Sequence, residues 1–486
     1  MKISTEKTMP HADTINVHVT RYTRQELVNE FALNCDNTPV FNRLFEQISA
    51  QPYAILFDTS GSSKSDGRFN IMAFSPTAVI EAKGEQTELI DLNTSSRQRL
   101  NMRPFEAVQA HLHARVESIE VKATFDTTHL PFIVGVAGMA GYDTGRFYET
   151  LPSMAQNDYI TPDFTVGLYL YSLIEDTQTG YIYFCSADNR SLSQVFKSLK
   201  QVATSNTFKL TSPFESNLSK DAYETCLSKI NAYLRAGDCY QVNMAQRFSA
   251  EFEGSIWQAY CELRNQNQAP FSAYYNLPQG CIASISPERF LRVKNKVVET
   301  KPIKGTRPRF DDIEKDEASA QSLLNAEKDR AENLMIVDLL RNDVSKHCKP
   351  HTVKVPALFA LESYEAVHHL VSTVTGELND ASSPLTLLAS AFPGGSITGA
   401  PKIRAMEVID ELEPHRRHIY CGSIFYMGYR EDMDSSICIR TVLAENNRLH
   451  CWAGGGIVLD SVPGEEYQET LDKVSKILPV LASMNL

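Results

Sequence analysis

No stretch of this chain approaches the apolar length of a membrane span, and its start, Met1-Lys-Ile-Ser-Thr-Glu-Lys-Thr-Met-Pro10, lacks the apolar h-region of a secretory signal. Its ten cysteines contain no Cys-x-x-Cys pair, which argues against a zinc ribbon or a thioredoxin-like site and suits reduced thiols in a cytoplasm. Positive charge is in deficit. A net charge of −12 argues against a general nucleic-acid binder, because phosphate contacts need clustered Lys and Arg. A local cationic pocket or a divalent metal can still hold an anionic substrate within an acidic protein. No dinucleotide fingerprint and no Gly-x-Ser-x-Gly occurs. Phe392-Pro-Gly-Gly-Ser-Ile-Thr-Gly-Ala-Pro-Lys402 fails the phosphate-loop test, since Gly399 is followed by Ala400-Pro401 instead of Lys-Ser/Thr. Internal repeats and long low-complexity segments are also missing.

What is present is an ordinary globular composition, 43% hydrophobic and 22% charged, over 486 residues. That length exceeds the usual single core and predicts two domains or one large two-lobed unit, divided into 14–203 and 219–480. Pro131–Gly138 and Phe164–Tyr171 are the clearest early strands, rich in β-branched and aromatic residues. The Ser/Thr/Asn-rich stretch Thr204–Asn217 reads as a linker. Ser219–Gly237 then has helical apolar spacing, with Ser219 or Asp221 as N-cap and Gly237 as C-cap. Further helices are predicted over Ala326–Asp343 and Gly464–Leu478. Ser435–Val442 and Leu449–Ala453 read as strands joined by a short turn, and such units favour antiparallel pairing. The fold class expected is α+β, not a doubly wound parallel sheet.

Several side chains stand out chemically. Lys304 lies in the Pro-punctuated segment Glu299–Arg309, where a fixed backbone makes a lysine a nucleophile if burial or nearby cations lower its pKa. Glu332 shares a helix face with Met335, Ile336 and Leu339, so it requires a partner: an arginine or a metal. Glu466, Glu469 and Lys473 line one flank of the last helix, either as a solvated face or as the hard oxygen ligands that Mg²⁺ prefers. Arg440 falls in Ser436–Val442. If Asn446-Asn447 is a tight turn, Arg440 lies opposite Ala453, beside Gly454-Gly455-Gly456, whose bare N–H groups suit a carboxylate. The turn leading into Pro401–Asp410 offers N–H groups to an anion.

These pieces in this order resemble the chorismate-utilising enzymes. The resemblance rests on Gly237–Asn243, Ser286–Phe290, the Lys304 segment, Asp338–Asp343, Phe392–Lys402, Ile439–Thr441 and Gly454–Lys473. It is strong from Ser219 to about Leu478 and weaker over the N-terminal region. It implies a two-lobed fold in which large antiparallel sheets form a β-sandwich core wrapped by helices. Two positions sort the chemistry within the family. Isochorismate and salicylate synthases carry a water-activating lysine where this chain has Gln241, and anthranilate synthases usually carry alanine where it has Lys304. The combination of Gln241 and Lys304 resembles the branch that forms aminodeoxychorismate.

That branch implies Mg²⁺ on Glu332 and Glu469 with Glu466 nearby, and Arg440, Lys473 and Gly454–Gly456 on the carboxylates of chorismate. It implies Glu288 as general acid, Lys304 as covalent nucleophile and His369 near the ring. The ammonia would come from a separate glutamine amidotransferase subunit, because no Gly-x-Cys-x-Gly nucleophile setting occurs here. The family also binds tryptophan. Its Leu-Leu-Glu-Ser mark is replaced by Ile55–Ser60, while Thr59, Asp66, Gly67, Arg68, Phe69, Pro270, Phe271 and Ser272 resemble a tryptophan pocket. The alternatives are an anthranilate synthase component and a catalytically silent tryptophan-binding partner of an amidotransferase.

Overall fold

The computed structural model describes residues 14–35, 38–61, 67–199, 206–363 and 367–484. Among them the strands form two large sheets, one of 14 and one of 12 strands, with antiparallel neighbours except where Ile15–Tyr22 runs parallel to Ile119–Lys122. The fold is α+β. Both sheets draw on both halves of the chain. In the first, Phe271–Leu277 pairs with Ile55–Asp58. In the second, Ser423–Gly428 pairs with Gly135–Ala140. The regions on either side of residues 204–217 therefore share their sheets.

The period-two alternation of the strands sorts side chains into two apolar cores. Ile55, Ile71, Ala273, Tyr275, Ile282 and Trp452 enter a core to which both sheets contribute. Their strand neighbours Leu56, Met72, Tyr274, Ala283 and Cys451 point the other way, onto Phe41, Phe45, Trp257, Leu263 and Leu481 of the covering helices. The first sheet is thus buried on both faces, which is why its strands read as near-continuous apolar runs.

Local signals mostly act as their chemistry requires. The helix Lys220–Ala236 opens on Ser219, whose hydroxyl accepts from the Ala222 N–H at 3.2 Å, and closes on Gly237 at φ +79°. Asn446 and Asn447, both at positive φ, make the tight turn between Thr441–Glu445 and Arg448–Ile457. The helices that carry the later argument are Glu327–Ser345 and Pro463–Val474.

Three expectations change. The early strands run Gly135–Ala140 and Phe164–Tyr169, and the chain crosses to the other sheet at once, as Tyr171–Asp176. The linker reading of Thr204–Asn217 fails over its described part, because Lys209–Leu210 and Glu215–Ser216 pair onto the long strand Gln241–Glu253. Two-residue pairings carry no periodicity for a sequence to display. Ser435–Val442 is not one strand: Met433–Ile437 belongs to the second sheet and Thr441–Glu445 to the first, with Arg440 between them at φ +52°. Arg440 therefore does not lie in the ladder opposite Ala453. No helix among the described residues is long and apolar enough to cross a membrane.

Sheets that draw strands from both halves should lose both halves together. Calorimetry is expected to give one cooperative transition whose calorimetric and van't Hoff enthalpies agree; two separable transitions would show that the halves hold independent cores.

Candidate functional site

Lys304 lies in the strand Ile303–Pro308, paired with Val367–Glu377. Lys304 faces Leu370 and Thr306 faces His369, so the ladder carries one extra residue, Gly305, at φ +77°. Such a bulge re-aims the neighbouring side chains. A Cβ on Gly305 would stand 2.7 Å from Leu323 Cδ1 and 2.9 Å from Asp329 Cγ, so glycine is required by space as well as by backbone angle. The Lys304 Nζ lies 3.5 Å from the Ser396 carbonyl, within the glycine-rich turn. Beyond the bulge, the Thr306 hydroxyl bonds His369 Nδ1 at 2.9 Å, orienting a ring that is buried.

Glu288 sits where the chain leaves the strand Gly280–Ser286 and has not yet entered Arg289–Lys294. Its N–H donates to the Ser286 hydroxyl at 3.2 Å and its carbonyl accepts from Ile437 at 3.1 Å. Burial pushes its carboxyl up to about 7, against the opposing pull of Lys304, a backbone hydrogen bond from Ile303, and Lys473. A carboxylic acid poised there exchanges a proton near neutrality. Arg440 occupies the adjacent crossing, its carbonyl accepting from Ile285 at 3.0 Å. Burial pulls its guanidinium below its ordinary value, and it has no carboxylate partner among the described residues.

The acidic set lies on two helices, next to the glycine-bearing strand Arg448–Ile457. Glu466 is buried, whereas Glu469 is exposed. Both reach Gly455, where a Cβ would meet Glu466 Oε2 at 3.2 Å and Glu469 Oε1 at 3.3 Å. Glu332, on the neighbouring helix, has its carboxyl raised by burial, with Lys304 and Lys328 pulling down and Asp329 and Glu466 pushing up. It makes no ion pair with an arginine among the described residues. Lys473 Nζ lies 2.5 Å from Glu469 and donates to the Gly454 carbonyl at 2.8 Å. Lys328 lies 3.6 Å from Glu466, whose Oε1 also accepts from Ser461 at 2.6 Å. Gln241 closes the floor. It is fully buried against Gly456, which has no side chain to collide with it, and its Oε1 is without a partner among the described residues.

The group therefore gathers the Lys304 amine, three further cations (Arg440, Lys473 and Lys328) and four carboxylates. Among the described residues no three His, Cys, Asp or Glu side chains already converge tightly enough to hold a metal by themselves. The donor set nonetheless fits Mg²⁺. That ion takes one or two protein carboxylates and completes its shell with water and substrate oxygens, and Glu466 and Glu469 flank one point while Glu332 is within electrostatic reach of Glu466.

A cavity of about 300 Å³ lies apart from these residues. Thr59, Arg68, Phe69, Pro270, Phe271 and Ser272 line it together, with Phe57, Tyr426 and Arg289. Gly67 is off the wall, its carbonyl accepting from Thr177 at 3.3 Å. Asp66 lies outside the described residues.

Ser396, Thr306, Asn243 and Lys328 join the site without having stood out in the sequence. Ser396 acts through its carbonyl, which side-chain chemistry cannot flag. Asn243 sits two residues from Gln241, the alternation that shares one strand face, whereas the bulge at Gly305 breaks that alternation between Lys304 and Thr306 and hides Thr306 from a period-two reading. Gly305→Ala should lower stability by about 1–3 kcal/mol, from left-handed strain and overpacking together, read as a shifted denaturant midpoint at unchanged slope. An unchanged midpoint would show that the bulge is not under this constraint.

Comparison with known proteins accords with this geometry. Residues 53–479 match the model of the chorismate binding enzymes. The chain is 45% identical, over 90% of its length and 96% of the relative's, to aminodeoxychorismate synthase component 1 of Klebsiella aerogenes. It is 44% identical to the protein of that name from Escherichia coli K12, over 90% and 95%. Among solved structures, anthranilate synthase component I of Streptococcus pneumoniae superposes with a TM-score of 0.73 at 30% identity, covering 85% of this chain and 92% of that one. The chain belongs to the chorismate binding enzyme family.

Proposed function

We propose that this protein aminates chorismate at C4, giving 4-amino-4-deoxychorismate through a covalent adduct on Lys304. The observation that supports the reading is the bulged strand that brings the Lys304 amine to 3.5 Å from the Ser396 carbonyl, within electrostatic reach of the buried acids Glu288 and Glu332. An anthranilate-forming site has no use for an amine there. Five curated relatives at 33–45% identity over 85–90% of the chain carry the aminodeoxychorismate synthase description, whereas relatives at 37–38% over 72–73% are described as anthranilate synthase component 1 or a protein like it.

Chorismate carries two carboxylates. Lys473, the Gly454–Gly456 amides and Arg440 supply the cationic and N–H surface to orient them. Glu332, Glu466 and Glu469 would hold Mg²⁺, which supplies charge neutralisation for a substrate carboxylate. In the first step the neutral Lys304 amine bonds to C2, the ring double bonds shift, and the C4–O bond breaks. Glu288 delivers the proton with which that hydroxyl leaves as water, and the new C2 amine sheds its own extra proton. In the second step the C2 amine takes up a proton, ammonia bonds at C4, the double bonds shift back, and the C2–Nζ bond breaks to return lysine as a neutral amine, while the new C4 ammonium sheds one proton in balance. Gln241, an amide, cannot deprotonate water, which favours a nucleophile that needs no base. A separate glutamine amidotransferase would supply ammonia. All ten cysteines are free thiols, consistent with a cytoplasmic setting. The aromatic cavity has the size and lining for tryptophan.

Intact-protein mass after incubation with chorismate and Mg²⁺, without ammonia, should show a chorismate-derived adduct. It should vanish in Lys304→Ala and on chelation of the metal. If no adduct forms and added ammonia yields anthranilate and pyruvate, the anthranilate reading takes over.

Because Glu288 must be protonated to act as an acid, activity should fall as pH rises, with a limb near its value of about 7 in kcat/KM. Glu288→Ala should lose that limb and about 10²–10⁴-fold in rate. A limb that persists in the variant would assign the proton to another group.

A further inference from the structure

Among the described residues Arg417, 1% exposed, heads the fully buried side chains by size. Its guanidinium uses every edge. Nε donates to Glu413 Oε2 at 2.9 Å and Nη2 to Glu413 Oε1 at 2.6 Å. Nη1 donates to the Ile397 carbonyl at 3.0 Å and Nη2 also to the Asn243 carbonyl at 2.9 Å. The rings of Tyr142 and Tyr420 lie over the group, 5.0 and 5.6 Å from its centre. Glu413, in turn, accepts from the Ala245 N–H at 2.9 Å.

Three of these partners, Asn243, Ala245 and Ile397, belong to backbone segments that reach the site. Asn243 and Ala245 lie in the strand that begins with Gln241, and the Asn243 side chain approaches Gln241 Nε2 at 3.4 Å and the Gly456 position at 3.2 Å. Ile397 follows Ser396, whose carbonyl faces the Lys304 amine at 3.5 Å. A direct bond from Asn243 N to Thr398 O, 2.8 Å, joins strand to turn between the two carbonyls that the guanidinium holds. The ion pair thus clamps, from behind, the two backbone segments that face the nucleophile and the glycine strand.

We propose that Glu413 and Arg417 are positioning residues: together they fix the Phe392–Lys402 turn against the Gln241 strand, and so set where the Ser396 carbonyl meets the Lys304 amine. A planar fork bonding two carbonyls and a carboxylate at once defines a distance that an ammonium cannot reproduce. The inference rests on Lys304 forming the adduct, which wild-type protein tests by itself.

Two variants separate positioning from bulk stability. Glu413→Gln with Arg417→Met removes both charges, so no buried ion is left unpaired. Arg417→Lys keeps a cation beside Glu413 but cannot bridge both carbonyls. For each, melting temperature, chorismate KM and the rate of adduct formation at saturating chorismate are measured at a temperature where the variant is folded. The expected result is a folded protein with KM within about threefold and adduct formation slowed by about 10–100-fold, the cost of a displacement of order 1 Å at a reacting atom. Adduct formation within about twofold of wild type in either folded variant overturns the proposal. So does rescue by Arg417→Lys of a defect seen in the double variant, which would mean that charge alone matters. Failure of both variants to fold would make the pair a folding requirement and would overturn the positioning reading too. A wild-type protein that forms no adduct would refute the underlying mechanism instead.

Discussion

A strand that leaves one sheet for another must give up its ladder at the crossing, and this chain does so twice at one place. Gly280–Ser286 of the first sheet continues as Arg289–Lys294 of the second, and Met433–Ile437 of the second continues as Thr441–Glu445 of the first. The two crossings are bonded to each other: Ile437 N–H to the Glu288 carbonyl, Ser286 hydroxyl to the Ile437 carbonyl at 2.5 Å, and Ile285 N–H to the Arg440 carbonyl. Backbone groups that lose their sheet partners inside a protein must find others, and here they find one another. The residues freed of a sheet face by the break are Glu288 and Arg440. Arg440 also holds left-handed backbone, a conformation that costs on the order of 1 kcal/mol or more for a residue with a Cβ and persists only when its surroundings impose it.

Putting an acid at such a crossing has an energetic consequence. With its carboxyl raised from 4.5 to about 7, folded Glu288 holds a proton that the unfolded chain has already released over that window. The native state binds more protons there, so stability falls as pH climbs from 4.5 toward 7, and the loss is complete above. At about 1.4 kcal/mol per pH unit the carboxyl withdraws on the order of 3 kcal/mol from the fold at alkaline pH. Lys304, Lys473 and the Ile303 backbone reduce that penalty without removing it. Glu332, pushed up by burial and by its acidic neighbours, works in the same direction. At Glu288 stability is spent on an acid kept near neutrality, the arrangement expected of a proton-transfer site and not of a structural ion-pair network.

How much of this was legible follows from where each residue sits. Gly237, Ser219 and Asn446-Asn447 declared themselves because caps and tight turns are set by three or four adjacent residues. Lys304, Gln241 and the glycine triplet were recognisable as short motifs, since each depends on its immediate neighbours for spacing. Arg440 was placed in a strand because alternation continues through Ser436–Val442 while the backbone does not; a crossing of two sheets leaves period two intact on either side. Glu466 and Glu469 share a helix flank with Lys473 and both reach Gly455, and only the tertiary contacts of Glu466 with Ser461 and Lys328 set the buried carboxylate apart from the exposed one. The pairing of 209–210 and 215–216 with a strand some forty residues on is invisible for the same reason: its cause lies in the partner.

The aromatic cavity and the acid at the crossing are mechanically one object. Arg289, next to Glu288, turns its guanidinium into the cavity wall, 4.8 Å over the Phe271 ring, and bonds Asp434 through two nitrogens at 2.9 and 3.1 Å. Glu288 faces the other way, toward Lys304 and Lys473. Successive residues of extended chain point to opposite sides, so anchoring Arg289 at three points limits how far the Glu288 carboxyl can travel. A proton donor needs that restraint, because it has to meet one departing oxygen and its reach is a single hydrogen bond. Packing of Arg289 in the aromatic cavity thereby restrains the carboxyl of Glu288, the group proposed as the proton donor.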